Sequence, residues 1–139
     1  MARQILRHTQ KMTTSRRWTS LEELLLAISD NLVLEERAIS VNEVGYDKDR
    51  PLHVAAIWND VQAIEMLVAA GAEVDARGEF RFTPLYNAVA QGHVAAARRL
   101  LELGASPHTH GEWGCTPEEL ARRDGTPQMI ALFEEYAGR

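Results

Sequence analysis

Three prolines, Pro51, Pro84 and Pro117, stand 33 residues apart, and much of the chain keeps the same interval. Leu52 recurs as Leu85, Val61 as Val94, Leu67 as Leu100, Gly71 as Gly104 and Ala72 as Ala105. Ala55, Ala88 and Ala121 share one position, and Thr83 and Thr116 another. A period of this length means one small supersecondary unit used several times. A unit of that size cannot bury its own apolar face, so the copies must stack and make a continuous core between neighbours. Most other architectures are excluded by that requirement alone.

The stretch 83–105 shows what the unit is. Thr83 can cap a helix start with its hydroxyl, and Pro84 suits the first helical position, where no N–H is needed. The expected helix runs over 84–91 and stops at Gly92. After His93, the apolar residues Val94, Ala97, Leu100 and Leu101 fall at helical spacing until Gly104, which suits the left-handed position beyond a helix end. The unit is thus two short antiparallel helices. Pro51-Leu52-His53-Val54-Ala55-Ala56, Gly71-Ala72-Glu73-Val74-Asp75-Ala76, Thr83-Pro84-Leu85-Tyr86, Gly92-His93-Val94 and Gly104-Ala105 together resemble the ankyrin repeat, over about residues 41–136. The resemblance implies an all-α ankyrin solenoid of about four helix pairs, with β-turn fingers projecting along one edge.

In this register residues 1–17 are a basic N-terminal tail and 18–139 the repeat domain. The domain divides into an N-terminal capping repeat (18–44), repeats at 45–77 and 78–110, and a C-terminal capping repeat (111–139). The first pair opens on Ser20-Leu21-Glu22-Glu23, which reads as a capping box, and Leu21, Leu24, Leu25 and Ile28 make its stripe. Its second helix is expected over 32–38. At the other end Glu118 replaces the Leu of earlier repeats, and Glu134 and Glu135 fall late in the last helix. A polar outer face is what a terminal repeat requires, so the stack is expected to end there. Within the repeats, Arg50 stands where Thr is usual, leaving a weak cap or one supplied by Asp49. His53 and His93 read as structural, Asn59-Asp60 as a turn tolerating left-handed backbone, and Pro107 as a stiffener.

Charge and composition narrow the functional classes. Residues 1–17 hold five Lys or Arg and no acid, so the rest of this chain of net charge −5 carries −10. An acidic body is a poor match for a nucleic-acid backbone. No apolar run reaches 18 residues, so no membrane span is expected. One cysteine, Cys115, cannot form an internal disulfide, and a cytoplasmic monomer is the default expectation. The N-terminal residues lack a secretory core and only faintly resemble a transit peptide.

In the ankyrin family the finger turns and the exposed side of each first helix meet ligands. Carried over by position, these are Tyr46, Asp47 and Asp49; Glu79, Phe80 and Phe82; and Glu112, Trp113 and Cys115 on the turns. The helix positions are Ile57 and Trp58, Ala90 and Gln91, and Arg123 and Asp124, with Arg77 and His110 at the unit ends. Five of the nine aromatics (Tyr46, Trp58, Phe80, Phe82, Trp113) fall in this set. Exposed rings among charges are the makeup of a protein-binding hot spot, and Asp47, Asp49, Glu79 and Glu112 imply a partner with a basic surface. The expected function is non-catalytic protein binding without a cofactor, as a stoichiometric inhibitor such as an immunity protein, with a regulatory scaffold or adaptor as the alternative. A third reading takes His108, His110 and Cys115 as a metal or catalytic group. It lacks a fourth ligand and a substrate pocket.

Overall fold

The computed structural model describes residues 17–31 and 39–137. Among these residues seven α-helices run in the order α1 (Leu21–Asn31), α2 (Pro51–Ile57), α3 (Val61–Ala69), α4 (Pro84–Ala90), α5 (Val94–Glu102), α6 (Pro117–Asp124) and α7 (Pro127–Ala137). A single 3-10 turn, Glu79–Arg81, lies between α3 and α4. The helix expected at 32–38 and nearly all of the basic tail lie outside the described residues. Helices α2, α4 and α6 pack side by side in one row, and α3, α5 and α7 in a second row behind them, with α1 against α2 and α3.

The starts of the helices follow from their sequences. Thr83 Oγ1 accepts from the Tyr86 amide at 3.2 Å, and Thr116 Oγ1 accepts from the Glu119 amide at 3.1 Å. Pro84 and Pro117 follow as first helical residues. Arg50 caps with no side-chain acceptor. The cap is thus weak, as expected of Arg50, and is not supplied by Asp49; His53 Nδ1 accepts the Arg50 amide at 3.0 Å. The expected capping box is also only half formed. Ser20 Oγ accepts from the Glu23 amide at 3.1 Å, but the Glu23 carboxylate turns to Thr19, bonding its amide at 3.0 Å and its hydroxyl at 2.6 Å.

The core lies between the rows and continues from unit to unit. Leu52, Leu85, Leu67 and Leu100 are buried, each contributing roughly 1.5–3 kcal/mol through the apolar area it removes from water. Ala55, Ala88 and Ala121 are fully buried, and their small side chains let neighbouring first helices approach closely. At the C-terminal end Met129, Leu132 and Phe133 close the core. Glu118 stands half-buried at the position Leu52 and Leu85 occupy, held by Arg122 at 3.3 Å. Glu134 and Glu135 are exposed, as the outer-face argument requires.

Polar side chains stitch one unit to the next at repeated positions. Asn42 Oδ1 accepts from the Glu73 amide at 3.0 Å, and Asp75 Oδ1, one period later, accepts from the Ser106 amide at 2.9 Å. His93 Nε2 donates to the Ile57 carbonyl at 3.0 Å. Asn59 takes left-handed backbone (φ 57°), and its Oδ1 accepts from the Ala96 amide at 3.1 Å. It thereby caps α5, a helix whose own cap residue His93 supplies no side-chain bond. At the N-terminal end the Trp18 amide donates to Gln62 Oε1 at 2.7 Å, while Gln62 Nε2 donates back to the Trp18 carbonyl at 3.0 Å. The Trp18 indole also donates to Asp60 at 2.8 Å.

Candidate protein-binding surface

Three turns precede α2, α4 and α6 and repeat the same geometry. Their closing bonds run from the Gly45 amide to the Asp49 carbonyl (2.8 Å), from Gly78 to Phe82 (2.8 Å) and from Gly111 to Cys115 (3.1 Å). Each turn places its fourth residue in left-handed backbone: Lys48 at φ 75°, Arg81 at φ 61° and Gly114 at φ 80°. The second turn adds a further left-handed residue, Phe80, at φ 54°. That conformation is rare for a bulky side chain and persists only where surrounding structure fixes it. One bond that does so is the Glu112 amide donating to the Phe80 carbonyl at 2.9 Å.

The first and second fingers are joined from below by Asp49 and His53. The Glu79 amide donates to Asp49 Oδ1 at 2.9 Å, and His53 Nε2 lies 2.9 Å from the Phe82 carbonyl oxygen. Because Nδ1 accepts from Arg50, the imidazole proton sits on Nε2 and is donated to Phe82. Burial pushes the His53 pKa down, opposed chiefly by the neighbouring Asp49 charge. Burial also pushes the Asp49 carboxyl up, opposed by the Glu79 amide and by His53. One period on, Tyr86 replaces His53 and reaches Cys115, the counterpart of Phe82; burial, then Cys115, raises its phenol pKa.

This arrangement sorts the residues expected at the surface. Tyr46, Trp113 and Phe80 are exposed, at 83%, 69% and 47% of their full areas. Asp47, Ile57, Arg77, Glu79, Gln91, Glu112, Arg123, Asp124 and His110 also reach solvent. Asp49 is buried, at 7% exposure, and is corrected from a surface acid to an internal bracket between fingers. Trp58 is half-buried and its ring stacks 6.4 Å from that of Trp18. Its aromatic area serves the N-terminal closure of the stack rather than the finger edge. Phe82 is also half-buried, stacked 3.9 Å from the Tyr86 ring. Part of the Phe82 ring therefore serves the fold.

The remaining aromatics converge. Phe80 lies 5.1 Å from Trp113 and 5.9 Å from Phe82, and Phe82 lies 5.9 Å from Trp113, all between ring centroids. The second and third fingers therefore carry one aromatic ridge, braced by Tyr86 and capped by two exposed rings. Tyr46 has no aromatic neighbour among the described residues. On one side of the ridge is a groove of about 270 Å³ lined by Asp49, Ile57, Glu79, Phe80, Phe82, Tyr86, Asn87, Ala90 and Gln91. On the other is a wider hollow lined by Trp113, Gly114, Cys115, Glu119, Arg122 and Arg123. Arg123 pairs with Asp124 at 3.0 Å. Lys48 and Arg81 share the fingers with the acids, so the edge is mixed in charge rather than uniformly acidic.

The candidate metal group does not assemble. His108 lies 3.8 Å from Glu118, His110 Nδ1 donates to the Gly111 carbonyl at 3.0 Å, and the Cys115 thiol faces the Thr116 carbonyl at 3.5 Å. Among the described residues only Asp47, Asp49 and Glu79 bring three ligand-type atoms within 4.8 Å of one another. No described helix is long and apolar enough to cross a membrane.

Comparison with known proteins agrees with the stacked geometry. Residues 52–101 match the model for ankyrin repeats present in many copies. Protein phosphatase 1 regulatory subunit 27 of Mus musculus is 31% identical over 103 residues, 70% of this chain and 66% of that protein. The chain belongs to the ankyrin-repeat family. Human ankyrin repeat and SOCS box protein 11 is 35% identical over 86 residues, 62% of this chain. Rat palmitoyltransferase ZDHHC17 is 35% identical over 89 residues, 58% of this chain. The chain spans only 26% and 14% of the lengths of these two relatives. Ankyrin repeats are in general protein–protein interaction modules, not catalysts.

Two groove residues, Tyr86 and Asn87, are not among the surface positions carried over from the family. Both lie one helical turn before Ala90 and Gln91 on the same face of α4, a relation readable from spacing alone. Trp18 carried no comparable signal, because its partners lie 40 or more residues away.

Proposed function

We propose that this ankyrin-repeat protein is a non-catalytic regulator that docks on a partner protein through the ridge of the second and third fingers. The observation that carries this reading is the Phe80–Trp113 contact. Two large rings on neighbouring fingers meet at 5.1 Å, yet both keep about half or more of their area in water. Scattered exposed apolar residues are ordinary, but contiguous exposed rings on a braced support fit a hot spot that a partner desolvates. The left-handed backbone of Phe80 supports the same reading, since strain of this kind clusters at functional sites.

In this reading Phe80 and Trp113 are the central anchors, with Phe82 as their support. Tyr46, Asp47, Ile57, Arg77, Glu79, Gln91, His110, Glu112, Arg123 and Asp124 form the rim. Regulation by occupancy suits the relative named a regulatory subunit of protein phosphatase 1. A stoichiometric inhibitor, an immunity protein included, is one form of such a regulator and an adaptor another. Purified protein immobilised in native lysate, with mass spectrometry of what it retains, names the partner. Titrating the partner's activity then separates the two forms: an inhibitor abolishes activity at one equivalent, whereas an adaptor leaves it unchanged. Failure to retain any protein in a stoichiometric amount contradicts the reading.

A further inference from the structure

Several glutamates of this protein are held by its own arginines, and the Glu79 carboxylate, among the described residues, is not. Glu65, Glu73, Glu118 and Glu135 are each paired with an arginine of the chain, at 2.8 to 3.3 Å. Glu79 is exposed and has no ion pair among the described residues, although Arg77 and Arg81 are its near neighbours in sequence. Its carboxylate lies within 4.8 Å of that of Asp47, which is also exposed and unpaired there. Glu79 and Asp49 line the groove, Asp47 lies beside them, and no cation is among the lining residues.

The rest of the groove completes a recognisable chemistry. Its walls are the rings of Phe80, Phe82 and Tyr86 with the aliphatic Ile57, and the amides of Asn87 and Gln91 add hydrogen-bonding groups. A volume of about 270 Å³ admits one long side chain and not a helix. An aliphatic stem fits the apolar walls, a planar cation gains from aromatic faces, and its charge is answered by carboxylates. A guanidinium satisfies all three at once, and its fork matches a carboxylate better than an ammonium does.

We infer that this groove is a socket for a single arginine side chain of the partner, paired with Glu79 and lying against the Phe80 ring. The inference rests on the protein-binding reading above and adds to it the chemistry of one contact. It also fixes where the partner's basic residue sits relative to the aromatic ridge.

The test is a 15N NMR titration with N-acetyl-arginine amide, using N-acetyl-citrulline amide as its uncharged counterpart. The expected result is a saturable shift of the Glu79, Phe80, Phe82, Asn87 and Gln91 amides with the arginine compound. Citrulline should bind about tenfold more weakly, and Glu79→Gln should weaken arginine binding by a similar factor while leaving the rest of the spectrum unchanged. Equal shifts from citrulline, or no shift at about 50 mM arginine compound, overturn the socket. Where a captured partner is weakened by Phe80→Ala but not by Glu79→Gln, the docking surface stands and the arginine socket is refuted. A partner insensitive to either substitution refutes both.

Discussion

His53 Nε2 stands 2.9 Å from the carbonyl oxygen of Phe82, across the boundary between two repeats. Through that bond a fully buried imidazole in α2 sets the base of the finger that carries Phe80. Replacing His53 with Ala removes the bond to Phe82 and the cap on Arg50 and leaves a cavity. A loss of about 2–4 kcal/mol is expected in denaturant unfolding.

The same histidine gives stability a pH dependence. Burial lowers its pKa below the ordinary 6.5, so in acid the unfolded chain takes up the proton first. Its contribution is therefore complete above about pH 6.5 and is lost as pH falls toward the folded-state value. Asp49 works in the opposite sense, because its raised pKa makes the folded state the better proton binder above the ordinary 3.8. Its contribution is complete below that value and is lost as pH rises through the folded-state pKa. Thermal melts between pH 7.5 and 5.5 should show a falling midpoint in the wild type, and a flatter profile in His53→Gln.

Gly78 tests the packing beneath the second finger. A Cβ there would strike the Asp49 carboxylate and come within 2.8 Å of His53 Nε2. Gly78→Ala should cost about 2 kcal/mol or more, since both brackets between fingers must shift. Gly92→Ala, where a Cβ meets nothing within 4 Å and only the positive φ matters, should cost about 1 kcal/mol. Comparing the two unfolding midpoints checks the ranking.

Asn59 does two jobs that substitutions can separate. Asn59→Gly keeps the left-handed turn and removes the bond to the Ala96 amide, for an expected loss of about 1 kcal/mol. Asn59→Ala loses the bond and strains the turn, so about 2 kcal/mol is expected. Equal effects from the two would contradict the turn role, and an unchanged midpoint in Asn59→Gly would contradict the capping role.

Trp18 closes the N-terminal end of the stack. Trp18→Ala removes the stack on Trp58 and the indole bond to Asp60, and should cost about 3 kcal/mol. Hydrogen exchange should rise first at Gln62 and Ala63, ahead of α5 and α6, because repeat stacks lose order from their ends.

The helices were legible because their signals are local. Thr83 with Pro84, and Thr116 with Pro117, mark helix starts in sequence as they do in space, and a fixed 33-residue interval places the stack without further information. The surface was legible only in part. Asp47 and Asp49 are indistinguishable as turn acids, yet one faces water and the other turns inward, into space left by the missing side chain of Gly78. Trp58 on its helix and Trp113 on its turn were alike as expected surface aromatics until Trp18, 40 residues before Trp58, stacked on one of them. Phe82 was drawn half inside by stacking on Tyr86, a residue that departs from the repeat pattern. For Asp49 and Trp58 the deciding partner belongs to another unit, so their own neighbourhood in sequence could not indicate it; for Phe82 it lies four residues on, within the same unit.

The central claim is that Phe80 and Trp113 anchor a partner protein. Its most direct test is capture from native lysate by the wild type and by the Phe80→Ala, Trp113→Ala double variant, quantified by mass spectrometry, with helical circular dichroism confirming that both are folded. The account predicts that one protein is retained stoichiometrically by the wild type and at least about tenfold less by the double variant. Equal retention of that protein by the two would contradict it.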